Sequence, residues 1–226
     1  MSSNGVEALT GLYVYASHPN QLNDSIDCYP YLLDFSETTE EELEAVYAPL
    51  YEEVLAGCGG DINLLRLTTP EYFALFIGRK FGVVSLSQDN VNVSLWNNYT
   101  DSRGYCVEFD VGSFPFHNFG PFPIHYVDEL NPIKIDKNIG VAFLIQTNVK
   151  TDDWEKEKEW RMLVANPDGF DFSTYENDGS YSQRFKCADE HNRKMKYPLR
   201  AIKSITLGER FFRASSIRCY PISDDE

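Results

Sequence analysis

The sequence predicts an α+β fold, with small mixed or antiparallel sheets and with helices grouped in the N-terminal half. Many short apolar segments have the length of strands, the clearest helix-start signals come early, and the regular strand and helix alternation of a doubly wound sheet is missing. Because 226 residues suit one large domain, we expect a single domain over 1–226. Within it we expect an acidic helical part at about 36–80 and a flexible tail at 222–226.

The first helix is predicted to begin at Thr39. Glu42 follows three residues later, and together the two residues form a capping-box pattern. The helix is expected to run toward Gly57, with a kink or a break at Pro49, because proline has no backbone N–H to donate within a helix.

A second helix is predicted to begin at Thr69 and to end at Gly78. Thr69 is a suitable N-cap, and Pro70 fits the first helical position. The segment 139–149 is apolar on nearly every side, so its periodicity does not distinguish a buried helix from a buried strand.

The rest of the chain predicts short elements joined by loops. Alternation, apolar runs and flanking turn residues predict strands at 11–17, 81–87, 105–111, 124–127, 160–165, 202–207 and 217–220, a short helix at 91–99 and a polar loop at 166–182.

The charge of the chain is unevenly distributed. The formal net charge is −15, and residues 1–65 hold 12 acidic residues and no Lys or Arg. This charge argues against broad polyanion binding by the N-terminal third, since phosphate contacts need clustered cations. We expect this acidic third to dock a basic protein partner. The basic segment 184–203 either pairs with the acidic region or anchors a diphosphate.

The cysteines indicate a reducing compartment. There are five, they are scattered, and none forms a C-x-x-C pair. We expect reduced thiols in a cytoplasmic protein. The longest apolar run, 141–145, is too short to span a membrane, so no membrane association is expected.

Five ordered motifs resemble a bacterial domain-of-unknown-function family, number twenty-nine seventy-one. They are Leu12-Tyr13, the segment 22–27 containing Asn23 and Asp24, Ser85-Leu86-Ser87, Trp96 to Tyr99 with Gly104-Tyr105-Cys106, and Lys150 to Arg161. The resemblance covers about residues 10–210. Ser25 stands where the family usually has Pro. The family name carries no activity.

The alternation of residues 157 to 161 predicts a catalytic face. If this segment is a strand, Glu157, Glu159 and Arg161 point to the same side. Two carboxylates beside an arginine can stabilise an oxocarbenium ion and orient a nucleophile, which cleavage of a glycosidic bond requires. The alternative interpretation of the alternating Glu and Lys residues is a solvated helix face.

The order of a strand tyrosine, Ser-x-Ser and Glu-x-Glu also resembles the ADP-ribosyltransferase superfamily. That resemblance implies NAD as a substrate, with Glu159 stabilising the ribose cation and Glu157 orienting the acceptor. It also implies that Ser85 and Ser87 shape a nicotinamide pocket beside Tyr13 or Tyr15. The first strand lacks the arginine common in that superfamily, which leaves His18 or a tyrosine to substitute.

The resulting hypothesis is an enzyme that cleaves NAD and transfers ADP-ribose to a macromolecule or to water, in a toxin or phage-defence system, without a metal. The expected catalytic residues are Glu159 and Glu157. The expected substrate contacts, with NAD or another nucleotide, are Ser85, Ser87, Tyr13, Trp96, Tyr99, Arg161, Asn23 and Asp24.

Several alternatives stay open at this point. Trp96 and Tyr99 are three residues apart and suit a core stripe as well as a stacking platform. Asn23 and Asp24 suit a turn. The competing functions are a metal-dependent phosphodiesterase or nuclease, with Asp24, Asp27 and Glu157 as ligands, and a binding module without enzymatic activity.

Overall fold

The computed structural model describes residues 3–22, 24, 26–135, 139–165 and 193–213. These residues form six α-helices and eleven short strands, so the predicted α+β class is confirmed. The chain divides into two compact units. The smaller unit comprises Met1–Leu12, Asp89–Phe114 and Tyr197–Glu226, and the larger unit comprises Tyr13–Gln88 and Pro115–Lys196.

The larger unit contains most of the elements. Its helices are α2 (Glu40–Tyr47), α3 (Tyr51–Gly57), α4 (Ile62–Lys80) and α6 (Ile139–Asn148). Its strands are β1 (Tyr13–Tyr15), β2 (Leu33–Asp34), β3 (Phe81–Ser87), β5 (Asn118–Pro123), β6 (His125–Val127), β7 (Ile133–Lys134), β8 (Val149–Thr151), β9 (Glu159–Ala165) and β10 (Lys194–Lys196). The smaller unit contains α1 (Ser3–Thr10), α5 (Val93–Thr100), β4 (Tyr105–Phe109) and β11 (Ile202–Leu207).

The largest sheet has three strands in the order β3-β9-β5, all antiparallel to their neighbours. Its register places Ser85 opposite Arg161 and Ser87 opposite Glu159. The other sheets are pairs: β1 with β10 and β4 with β11 are antiparallel, whereas β2 with β7 and β6 with β8 are parallel.

The first predicted helix is confirmed together with its break. Thr39 caps α2 through a complete capping box with Glu42, and Pro49 lies between α2 and α3. The long acidic segment therefore folds as two short helices. Leu43 and Tyr47 of α2 are buried against α3 and α4.

The prediction that a helix begins at Thr69 is wrong. Thr69 and Pro70 lie inside α4, which begins at Ile62 and continues past Gly78. The Thr69 hydroxyl donates to the carbonyl of Leu65 one turn earlier, at 2.8 Å. Thr69 thus acts as an interior helix residue, and Leu65 and Phe73 are buried on either side of it.

Segment 139–149, which periodicity left undecided, is helical as α6. It packs on one core cluster together with Phe35, Phe73 and Leu163, so its apolar character reflects burial. The predicted short helix at 91–99 corresponds to α5, and the predicted strands at 81–87 and 202–207 have the same bounds as β3 and β11.

The predicted loop at 166–182 and strand at 217–220 lie outside the described residues. Across the part of the chain that is described, no helix is both long enough and apolar enough to cross a membrane.

Candidate functional site

Arg161, on the central strand β9, is the organising residue of a buried charged cluster in the larger unit. Its side chain is 1% exposed. Nη1 and Nη2 donate to the two oxygens of Asp27 at 2.7 and 2.5 Å, and Nε donates to Glu159 at 2.7 Å. Nη1 also donates to the carbonyl oxygen of Thr147 at 2.6 Å. This bidentate geometry fixes the guanidinium in one orientation.

Lys150, at the middle of β8, is the second cation of the cluster. Its ammonium lies 3.0 Å from Glu159, 3.5 Å from Glu157 and 3.7 Å from Asp27, and it faces the ring of Trp154 at 4.6 Å. Burial lowers the pKa of Lys150, but attraction to Glu159 and Asp27 outweighs burial, so the net pKa is raised and the side chain stays charged.

Five residues form this group, which we call the Arg161 cluster: Asp27, Lys150, Glu157, Glu159 and Arg161. Three carboxylates and two cations leave it one negative charge in excess. All five residues are less than 9% exposed. Charges of that degree of burial are tolerated because each is paired with a charge of opposite sign.

Glu159 is held in its ionised form at the start of β9. Burial would raise its pKa, but the charge and the hydrogen bond of Arg161, the charge of Lys150 and a hydrogen bond from Ser85 together lower it. Ser85 lies on β3 opposite Arg161, two residues before Ser87, which is the partner of Glu159, and Ser85 is exposed. The Ser85 hydroxyl therefore joins a solvent-exposed position to a buried carboxylate.

Glu157 belongs to the same cluster, but it lies in a 3₁₀-helix and not on the strand that the alternation predicted. It ends a 3₁₀-helix, Asp152–Glu157, and Lys158 follows in the left-handed conformation at φ 46° before β9 begins. The prediction that Glu157 shares the face of a strand with Glu159 is therefore wrong, although both carboxylates contact Lys150. The Ser87 hydroxyl donates to the backbone carbonyl of Glu157 at 2.9 Å.

Tyr126, on β6, completes the surroundings of Glu159. Its hydroxyl accepts a hydrogen bond from the backbone N–H of Glu159 at 2.9 Å. Burial raises the pKa of Tyr126, with smaller contributions from the nearby carboxylates, so the phenol is neutral near pH 7. Tyr126 was not among the residues expected from the sequence, because no local pattern connects it with Glu159.

Of the predicted site residues, the structure brings together Glu157, Glu159, Arg161, Ser85 and Ser87. Tyr13 belongs to the β1–β10 pair, where its buried ring faces Lys194 at 5.1 Å and Lys196 at 5.4 Å.

Two residues predicted as substrate contacts belong to the smaller unit. Trp96 and Tyr99 lie on α5. The Trp96 indole N–H donates to the carbonyl of Asn90 at 2.9 Å, and Tyr99 is 55% exposed.

The loop before Asp27 holds the remaining predicted contacts. Asn23 lies outside the described residues. Asp24 accepts a hydrogen bond from the backbone N–H of Ile26 at 3.1 Å, which is the turn geometry that its type favours.

His18 and Arg193 are structural residues. His18 is completely buried, and its pKa falls to about 3 through burial, with a further contribution from Arg193. Arg193 is also completely buried and donates to the carbonyls of Ala16 and Gly78. Neither side chain is accessible to a substrate, so His18 does not replace the missing arginine of the first strand, and Arg193 does not anchor a diphosphate.

The cluster is unfavourable as a metal site for a reason of charge. Lys150 and Arg161 occupy the space between Asp27, Glu157 and Glu159 that a divalent cation would need. Among the described residues, no group of three or more His, Cys, Asp or Glu side chains could hold a metal ion.

Comparisons with family models, with curated proteins and with solved structures found no match to this chain. An ionised, buried carboxylate beside an exposed serine hydroxyl can stabilise positive charge that develops on a bound substrate.

Proposed function

We propose that this protein cleaves the bond between nicotinamide and ribose in NAD and transfers ADP-ribose to a macromolecule or to water. The observation that carries the proposal is the state of Glu159, a carboxylate kept ionised within a buried charged cluster and linked to the exposed Ser85. The order of the motifs, which resembles the ADP-ribosyltransferase superfamily, agrees with this assignment.

The reaction needs a fixed negative charge more than it needs an acid. When the bond from ribose C1′ to the nicotinamide nitrogen breaks, its electron pair leaves with nicotinamide, and C1′ becomes part of an oxocarbenium ion. Glu159 would stabilise that cation. Water or an acceptor group then attacks C1′ and releases one proton, so that hydrolysis yields ADP-ribose, nicotinamide and a proton.

Arg161 and Lys150 would act by positioning Glu159. Each contacts a carboxylate oxygen, at 2.7 and 3.0 Å, so the carboxylate does not rotate freely and keeps its charge as substrate excludes water. Glu157, which also contacts Lys150, would orient the attacking group. Ser85 and Ser87 are exposed on the neighbouring strand β3, as residues that line a nicotinamide pocket need to be.

The test is nicotinamide release from NAD by the wild-type protein and by Glu159→Gln. Loss of one preorganised electrostatic contact to a transition state lowers the rate about 100- to 1000-fold. We expect a loss of that size. Equal rates in the two proteins, or no release by the wild type with any acceptor, would refute the proposal.

Two further variants distinguish a specific loss of catalysis from a general effect of the substitution. Glu155→Gln makes the same chemical change at an exposed position of the 3₁₀-helix and should keep the wild-type rate. Ser85→Ala removes a hydrogen bond to Glu159 from an exposed position, so it should lower the rate with little effect on stability. Thermal unfolding of each variant shows whether a lost rate reflects a lost fold.

The metal-dependent phosphodiesterase is the weaker alternative, because cations of the protein already pair with two of its three expected ligands, Asp27 and Glu157. Nucleic-acid cleavage that disappears on addition of a chelator would favour it over NAD cleavage. A binding module without enzymatic activity is the third candidate, and it predicts that Glu159→Gln leaves the biological effect intact.

The cellular setting is also a proposal. Membership of family twenty-nine seventy-one and a role in a toxin or phage-defence system rest on the ordered motifs alone. A cytoplasmic location is supported by Cys28, Cys58 and Cys106, which are free thiols. The contribution of Trp96 and Tyr99 to nucleotide binding stays a prediction.

A further inference from the structure

A cleft of about 470 Å³ opens in the larger unit between β2 and the first half of α4. Its floor includes Leu33 and Phe35, each 1% exposed, and the buried Pro70. One wall is formed by Leu67, which is 71% exposed although it is a large apolar side chain. Such a volume is in the range of sites that hold a drug-sized ligand or a few side chains.

The proline of α4 adds a polar feature to this apolar floor. Pro70 has no backbone N–H, so the carbonyl of Arg66, four residues earlier, does not receive the hydrogen bond that α-helix geometry would supply. Both residues line the cleft. The guanidinium of Arg66 is directed elsewhere, because it donates to the Thr38 carbonyl at 2.9 Å and to Asn63 at 3.0 Å.

The rim of the cleft carries more negative than positive charge. Asp34 lines it, and the backbone N–H of Ser36, with smaller contributions, lowers the pKa of Asp34. Three more acids adjoin lining residues: Glu37 follows Ser36, Asp61 accepts from the N–H of Asn63, and Glu71 accepts from the hydroxyl of Tyr31. Among the described residues, the cations at or beside this lining are Arg66 and Lys134, and Lys134 is paired with Glu37.

We propose that this cleft docks a segment of a basic partner protein, with a large apolar side chain seated on the floor and Lys or Arg residues on either side. The apolar floor and Leu67 would contact the large apolar side chain of the partner, and the acidic rim would attract its flanking Lys or Arg residues. A donor of the bound segment would reach the Arg66 carbonyl. This interaction is independent of NAD cleavage, because it uses none of the residues of the Arg161 cluster.

The experiment uses the full chain and a fluorescein-labelled peptide of eight residues, with Trp-Leu at its centre and three Lys or Arg on each side. Fluorescence anisotropy should show saturable binding that weakens as salt is added, since the flanking charges are screened. A peptide in which the Trp and Leu are both replaced by Ser should bind at least about tenfold more weakly, because the buried apolar contact is lost.

Matched variants locate the binding. Leu67→Ser should weaken binding of the Trp-Leu peptide about tenfold. Leu64→Ser, at a residue that is 44% exposed on the same helix but outside the lining of the cleft, should not weaken it. Both positions are exposed, so neither change threatens the fold.

Several outcomes would overturn the proposal. These are the absence of saturable binding, equal binding by Leu67→Ser and Leu64→Ser, and equal binding of the peptide that lacks Trp and Leu. Binding of free indole as tight as that of the peptide would also overturn it, because the cleft would then be a site for small molecules.

Discussion

Replacement of Asp27 by asparagine removes the bidentate partner of Arg161 and leaves the shape of the side chain almost unchanged. In the wild type both oxygens of Asp27 accept from the guanidinium, and the two side chains are 4% and 1% exposed, so water does not replace a lost bond. An asparagine would turn an N–H group toward the guanidinium in place of one oxygen.

The expected loss follows from this geometry. Removing one partner of a buried ion pair costs about 3–5 kcal/mol. We expect the lower figure, about 3 kcal/mol, because Glu159 remains as a second partner of Arg161. For a chain of this size that corresponds to a fall in Tm of about 6–12 °C.

Urea unfolding of the wild type, Asp27→Asn and Asp24→Asn measures the loss. Asp24 lies in the same loop and accepts one backbone hydrogen bond, so its replacement should lower the free energy of unfolding by less than about 1 kcal/mol. If Asp27→Asn is as stable as Asp24→Asn, the Arg161 cluster does not stabilise the fold in the way described.

Three further predictions concern structural residues outside the Arg161 cluster. The folded pKa of His18, about 3, lies far below the ordinary value of 6.5, so between these values only the unfolded chain binds the proton. Stability should therefore fall by up to roughly 4 kcal/mol as the pH drops from 6.5 to 3, and His18→Leu should flatten this dependence in denaturation curves. Gly78→Ala should lower the Tm by an amount equivalent to about 1–3 kcal/mol, because its Cβ would lie 1.8 Å from the His18 ring, whereas Gly57→Ala, with no atom within 4 Å, should not. Thr39→Ala should cost about 1 kcal/mol through loss of the cap, and Thr39→Ser should restore most of it in the same assay.

The helices illustrate which parts of the fold local sequence could predict. The break between α2 and α3 follows from Pro49, and the start of α2 follows from Thr39, because both effects act within one turn. The prediction of a helix start at Thr69 and Pro70 is wrong for a related reason. A Thr-Pro pair is equally suited to a helix start, whereas the burial of Leu65 and Phe73 on either side of it favours one continuous helix.

Local sequence likewise predicts some contacts of the site and not others. Glu159 and Arg161 could be placed on one face, because side chains alternate along a strand with a period of two. The partnership of Arg161 with Asp27 spans 134 positions of sequence, and no local pattern encodes it. Lys150 belongs to one of the five sequence motifs, but its contacts with three carboxylates depend on the pairing of β8 with β6, which periodicity does not specify.

The pH dependence of nicotinamide release tests the central claim most directly, because it reports the protonation of the carboxylate proposed to stabilise the ribose cation. Since the pKa of Glu159 is lowered, the wild-type rate should decline only below pH 4.5, the ordinary value for glutamate. Ser85→Ala removes one of the hydrogen bonds that lower this pKa, so its acid limb should move to higher pH. Identical acid limbs in the two proteins, or no nicotinamide release at any pH, would contradict the role given to Glu159.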